Sequence, residues 1–157
     1  MAIALAEAFP DTAPVRIIAS DIDTETLEFA RRGVYPLARL KGLSAAQVKR
    51  HFLCGSGANE GMARVRPEIR GLVEFKAINL SDARWDVPES LAAIFCRNVM
   101  IYFARETQNR VVRRFARLLT PDGLLFAGHS ENLFYVAGDV FRTRGHTVYD
   151  VARGERE

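Results

Sequence analysis

Residues 15–33 read VRIIASDIDTETLEFARRG. VRIIASD is a short run rich in β-branched residues, the pattern of a buried strand. Thr24 is the expected N-cap of a following helix, with Glu25 and Glu28 near its positive end. Leu27, Phe29 and Ala30 give that helix an apolar stripe, and Gly33 ends it. Upstream, MAIALAEAF (1–9) reads as the end of an amphipathic helix, closed by Pro10, Asp11 and Pro14. The first readable unit is therefore helix, strand, helix.

Downstream the alternation breaks and then resumes. Ser44 caps a helix, AAQVKRHF, and FLCGSGANEGMARVRPEI (52–69) reads as two short strands around a Gly-rich turn. MARVRPEI alternates apolar and polar residues, as a strand with one wet face does. This segment, about 36–72, is expected to be a small antiparallel insertion. LVEFKAINL (72–80) then reads as a strand, and LAAIFCRNVMIYF (91–103) begins as a buried one. A helix with an Arg-rich outer face follows from Thr107 to Leu119, then a turn at Thr120-Pro121-Asp122-Gly123. GLLFAGH is another buried strand, and VFRTRG with HTVYDVAR forms a terminal hairpin with Gly145 at its turn. Continuous apolar strands separated by helices imply an α/β fold: a mainly parallel sheet with an antiparallel edge.

The chain has 157 residues, 48% apolar and 26% charged, within globular averages and sufficient for one domain with a core. No apolar run approaches the roughly 18–20 residues of a membrane span. The N-terminus lacks the basic lead of a signal peptide and carries Glu7. Two cysteines, Cys54 and Cys96, argue against a disulfide framework and fit a reducing cytoplasm. His51, His129 and His146 lack ligand spacing, which argues against a metal site. The net charge of +3 hides an asymmetry: residues 31–70 carry nine basic side chains against Glu60 and Glu68. A positive patch of this kind attracts an anionic partner, although the same charges also suit a solvated face.

In open α/β sheets ligands bind outside the carboxyl ends of the strands. Those ends here are Ser20-Asp21-Ile22-Asp23, Asn79-Leu80, Cys96-Arg97-Asn98 and Gly128-His129-Ser130-Glu131. An acid at a strand tip can accept both hydroxyls of a ribose. Asp21 is best placed for this and Asp23 is the other candidate, while either can instead cap the next helix. Asn79 can meet an adenine edge and Leu80 can cover its face. The Gly-rich phosphate loop of dinucleotide sites is absent, since Gly55-Ser56-Gly57 lies in a hairpin. His129, Ser130 and Glu131 are adjacent in sequence and lack the G-x-S-x-G elbow of a hydrolase. Cys96 reads as a small buried residue. A nucleic-acid-binding domain would need exposed aromatics among the basic residues, and these are missing.

CRNVMIYF (96–103), LLTPDGLLFAGHSENL (118–133), ASDIDTETLEFARRGVY (19–35) and GHTVY (145–149) together resemble the catalytic domain of CheR-type chemotaxis receptor methyltransferases. The resemblance runs from the first strand to about Val151. It implies a Rossmann-like sheet and transfer of a methyl group from S-adenosyl-L-methionine to receptor glutamates, leaving S-adenosyl-L-homocysteine. It implies that Asp21 holds the cofactor ribose, that Asn79 and Leu80 contact the adenosyl part, and that Arg97 and Asn98 lie beside the cofactor. Tyr102 then faces the transferred methyl as the catalytic residue. The basic insertion is similar to one that docks the acidic C-terminal tail of a receptor, with Arg50, Arg64 and Arg66 as the expected contacts.

The implied setting is cytoplasmic, the implied partner is the cytoplasmic domain of a methyl-accepting chemoreceptor, and neither nucleic acid nor membrane insertion is expected. Two departures stand out. The family's N-terminal helical domain and a Gly-Glu-Glu loop with the first sheet strand are not in the sequence, and MAIALAEAF resembles the helix after that loop. Ala92 stands where the family usually has Asp. The expectation is thus a partial catalytic domain over residues 1–157, marginally stable and inactive alone. The alternative is a non-catalytic module that binds receptor tails.

Overall fold

Asp23, not Thr24, begins the helix of the first strand–helix unit. Its Oδ1 accepts the Glu25 backbone N–H at 2.8 Å and its Oδ2 accepts the Thr26 hydroxyl at 2.8 Å. A carboxylate offers two acceptor oxygens to the orphan groups of a first turn, and Thr24 offers one hydroxyl. The helix, α2 (Thr24–Arg32), ends at Gly33, whose φ of 61° lies in the left-handed region where a side chain is strained. The computed structural model describes residues 1–9, 15–131 and 133–152. Pro10, Asp11 and Pro14, expected to close the first helix, and Arg153 lie outside the described residues. No described helix is long and apolar enough to cross a membrane.

The chain forms two units, Met1–Asn79 and Leu80–Glu157. In the first, β1 (Ile17–Asp21) pairs in parallel with β5 (Val73–Ala77), from Ile17↔Val73 to Asp21↔Ala77. Helix α2 buries Leu27, and the Arg31 guanidinium donates to the Phe75 carbonyl at 2.9 Å, tying α2 to β5. Between these strands lies the insertion, a three-stranded antiparallel sheet ordered β2 (Val34–Pro36), β4 (Met62–Val65), β3 (Phe52–Cys54). It begins slightly earlier than expected, because Val34 already pairs with Arg64. Ser44 caps α3 (Ala45–His51) in a full capping box with Gln47. Helix α1 (Ala2–Ala8) is held to α3 by Glu7, which meets His51 Nε2 at 2.9 Å and accepts from Gln47.

The strand expected over MARVRPEI stops at Val65. Pro67 cannot donate to a ladder, and its fixed φ instead starts a helical turn, α4 (Pro67–Arg70).

In the second unit the sheet order is β6 (Leu91–Cys96), β7 (Leu119–Ala127), β9 (Val148–Val151), β8 (Phe141–Gly145). β6 and β7 are parallel, while β7–β9 and β8–β9 are antiparallel. Helix α5 (Arg105–Leu118) places Val111, Val112 and Phe115 in one core with Leu125, Ala127 and Tyr149. Leu125 and Val112 have no exposed surface, and burial of such side chains contributes about 1.5–3 kcal/mol each.

Three local expectations change here. β6 is not fully buried: Ala92, Ala93 and Phe95 are exposed, and Phe95 stacks on Phe126 at 4.3 Å. Its only described ladder partner is β7, so β6 is an edge strand among the described residues and its apolar run is only partly covered. The Thr120–Gly123 turn does not interrupt β7. The ladder jumps from Leu91↔Leu119 to Ala93↔Leu124, so the turn is an excursion within the strand. In the terminal hairpin Gly145 still pairs with Val148, and Thr147 carries the left-handed backbone at φ 65°.

Candidate functional site

The parallel register of β1 and β5 sets Asp21 opposite Ala77, and the Ile78 N–H donates to the Asp21 carbonyl at 3.0 Å. Asn79 follows directly. The structure therefore brings Asp21 and Asn79 to neighbouring carboxyl strand ends, the region where such sheets take ligands. Asp21 Oδ1 accepts the Asp23 N–H at 3.0 Å, which orients the exposed carboxylate. Its Oδ2 accepts no hydrogen bond among the described residues. Asp23 is occupied as the helix cap; the Thr26 hydroxyl, then the Glu25 and Thr26 backbone N–H groups, hold its carboxyl below the ordinary range. The two candidate acids thus separate into a cap and an open acceptor.

In the second unit, Arg97, Asn98 and Tyr102 share the segment leaving β6. Arg97 and Asn98 are exposed, and Tyr102 is 82% exposed at the end of a single 3-10 turn, Met100–Tyr102. Asn98 adopts φ 61°, a conformation that Asn tolerates better than most residues. Met100, 2% exposed, anchors the turn in the core. Leu80 packs against that same core rather than standing free at a strand end.

Sequence reasoning missed two residues that shape this segment. Glu131, 6% exposed, accepts backbone N–H groups of Asn98, Val99, Met100 and Gly128. Gln108 donates to the carbonyls of Met100 and Phe103 at 2.9 and 3.0 Å. The only sequence signal for Glu131 is its place just past a strand end, as the last of three adjacent polar residues that lack a hydrolase motif. In the structure His129 and Ser130 are exposed while Glu131 turns inward. Nearby, burial and then the Glu131 charge push the Cys96 thiol up to about 12. A thiol this basic is protonated at neutral pH and is a poor nucleophile.

The basic insertion has a different arrangement from the one expected. Arg50 and Arg64 are exposed, but Arg66 lies beyond the end of β4 and points inward. Arg66 donates through Nη2 to the Lys49 carbonyl at 3.5 Å, and its buried Nε has no hydrogen-bond partner. Alternation in MARVRP therefore does not place Arg64 and Arg66 on one strand face. A groove of about 520 Å³ runs beside edge strand β3, lined by Val48, Lys49, Phe52, Leu53, Cys54 and Arg66 among others.

Parallel strand pairs flanked by helices, with polar residues at adjacent carboxyl ends, are consistent with a Rossmann-like α/β fold. Within that class the chain belongs to the CheR methyltransferase family: residues 1–149 match the family described as CheR methyltransferase, SAM binding domain. It is 54% identical over 153 residues to Chemotaxis protein methyltransferase 2 of Pseudomonas aeruginosa, covering 97% of this chain and 54% of that protein. It is 52% identical over 155 residues to the Chemotaxis protein methyltransferase of Salmonella typhimurium, covering 98% and 53%. Against the Escherichia coli protein of the same name it is 51% identical over 144 residues, covering 90% and 50%. The chain thus spans about half the length of these curated relatives.

Proposed function

We propose that this chain forms the cofactor-holding part of a cytoplasmic protein-glutamate O-methyltransferase. Its methyl donor is S-adenosyl-L-methionine and its substrates are glutamate side chains of bacterial chemoreceptors. The observation that carries the reading is that Asp21, at the end of β1, pairs with Ala77 and accepts from Ile78, so that Asn79 follows directly beyond the adjacent end of β5, with one Asp21 carboxylate oxygen open. That donor and acceptor set suits a ribose and an adenine edge. The relatives bear methyltransferase names across nearly the whole chain, which disfavours a receptor-tail module without chemistry. The free thiols of Cys54 and Cys96 agree with a reducing compartment.

When bound, the cofactor supplies a methyl group already activated by its sulfonium. The incoming glutamate is ionised at neutral pH, so attack needs alignment and exclusion of water rather than a general base. Asp21 accepts from the ribose, Asn79 and Leu80 hold the adenosyl part, and Arg97 and Asn98 edge the site. Tyr102 orients the incoming carboxylate. Attack joins an anion to a cation and neutralises both charges, so a cation on the attacking oxygens would oppose it. A neutral phenol suits that place better than Arg97 does.

The insertion is read as the docking surface for an acidic receptor tail, through the exposed Arg50 and Arg64, with Arg66 lining the groove beside β3. The edge of β3 and the groove with Lys49 support addition of an extended peptide there. The test is methyl transfer from labelled S-adenosyl-L-methionine to receptor glutamates by the protein that carries this chain, read as base-labile methyl esters. Label that depends on Asp21 and Tyr102 supports the reading, and no transfer to any receptor rejects it.

A further inference from the structure

The Glu131 carboxylate is almost wholly buried yet has no cationic partner among the described residues; four backbone N–H groups surround it instead. Oε1 accepts from Val99 and Met100, both at 2.9 Å. Oε2 accepts from Asn98 at 3.1 Å and Gly128 at 2.6 Å. Three of these donors belong to consecutive residues of the segment leaving β6, and the fourth belongs to the end of β7. The carboxylate therefore joins two neighbouring carboxyl strand ends through one charged centre. Charge-assisted bonds of this kind are about twice as strong as neutral ones.

The segment is held from its other polar side as well. Gln108 on α5 takes the carbonyls of Met100 and Phe103, so N–H and C=O groups of the same turn are both engaged. The close fit extends to Gly128. A Cβ there would stand 2.7 Å from Glu131 Oε2 and 2.9 Å from Asn98 Oδ1, so only glycine lets the carboxylate approach. Asn98 meanwhile keeps a left-handed backbone, a conformation that persists only where the surroundings impose it.

We propose that Glu131 is a positioning residue for methyl transfer. It fixes the backbone from which Arg97, Asn98 and Tyr102 project. This rests on the reading of those three side chains given above. The carboxylate touches neither cofactor nor receptor; it acts through the Asn98–Met100 turn. A displacement of that turn moves Tyr102 relative to the reacting atoms, and misplacement by about 1 Å can cost roughly 10²-fold in rate.

The test uses two variants with opposite chemistry. Glu131→Gln keeps the shape but turns an NH2 toward backbone donors. Gly128→Ala keeps the carboxylate but pushes it away. Amide hydrogen exchange on the protein that carries this chain should show both variants losing protection at Asn98, Val99, Met100 and residue 128. Val111, Val112 and Leu125 should stay protected, which separates a local effect from unfolding. In the protein that carries this chain, kcat should fall about 10²-fold with the receptor KM unchanged, and the Kd for S-adenosyl-L-homocysteine should rise about tenfold.

Retained protection at the four amides in both variants overturns the clamp. Lost protection with unchanged kcat and Kd overturns the positioning role. A parental protein that binds no S-adenosyl-L-homocysteine overturns the functional reading and the role built on it, while the exchange pattern still reports the clamp by itself.

Discussion

Asp21 Oδ1 lies 3.0 Å from the backbone nitrogen of Asp23, while the side chain of Asp23 caps α2. One acid is thus aimed by the backbone of the other, and only the first keeps an open oxygen. Asp21→Ala should weaken S-adenosyl-L-homocysteine binding about 10- to 100-fold, the range for a lost charged hydrogen bond. Asp23→Ala should lower the melting temperature and leave affinity within about threefold. Calorimetry and thermal denaturation of both variants check the pair, and equal loss of affinity in both would contradict the division.

Leu125 has no exposed surface and sits in the core beneath α5. Leu125→Ala should cost about 2–5 kcal/mol, from lost transfer energy and the cavity left behind. Urea denaturation measures it. A cost below about 1 kcal/mol would mean that the core collapses around the gap.

The contact of Glu7 with His51 and Gln47 makes the docking of α1 dependent on pH. Hydrogen bonds from His51 and then Gln47 hold the Glu7 carboxyl below its ordinary value. A depressed carboxyl stabilises the folded state above the ordinary pKa and loses that contribution as pH falls through the folded value. Protection of the α1 amides should therefore show an acid limb, falling as pH drops below the ordinary carboxylate range. Glu7→Gln should flatten that acid limb, and an unchanged profile in this variant would assign the transition to another group.

Arg50 and Arg64 are exposed on or beside the insertion sheet. Reversal of both charges should weaken an acidic receptor-tail peptide about tenfold at low salt and reduce the salt dependence of its binding. Titrations at two ionic strengths check this. Arg66 differs because it donates inward to Lys49, so Arg66→Ala should also lower thermal stability.

β1 has β5 as its one described partner, and β6 likewise has β7. Bare edges of this kind favour association and weaken cooperativity. The 157-residue chain should unfold broadly at low temperature and aggregate as it does so. A sharp transition of a monomer at high temperature would count against this.

Local chemistry alone determined much of the protein. Short strand-like runs bounded by polar residues marked β1 and β5, the Ser44-x-x-Gln47 box marked α3, and Gly33 marked a helix end, because caps and periodicity act over a few residues. Asp21 and Asn79 were legible as strand-tip residues for the same reason. Tertiary structure decided what depends on partners distant in sequence. It made Asp23 the cap and Asp21 the open acceptor, kept Thr120–Gly123 inside a ladder, and turned Arg66 inward. It also converted Glu131 from an apparent member of a polar trio into a buried clamp on a turn more than thirty residues earlier. No periodicity encodes that contact, because it exists only once β6 and β7 lie side by side and bring the two strand ends together.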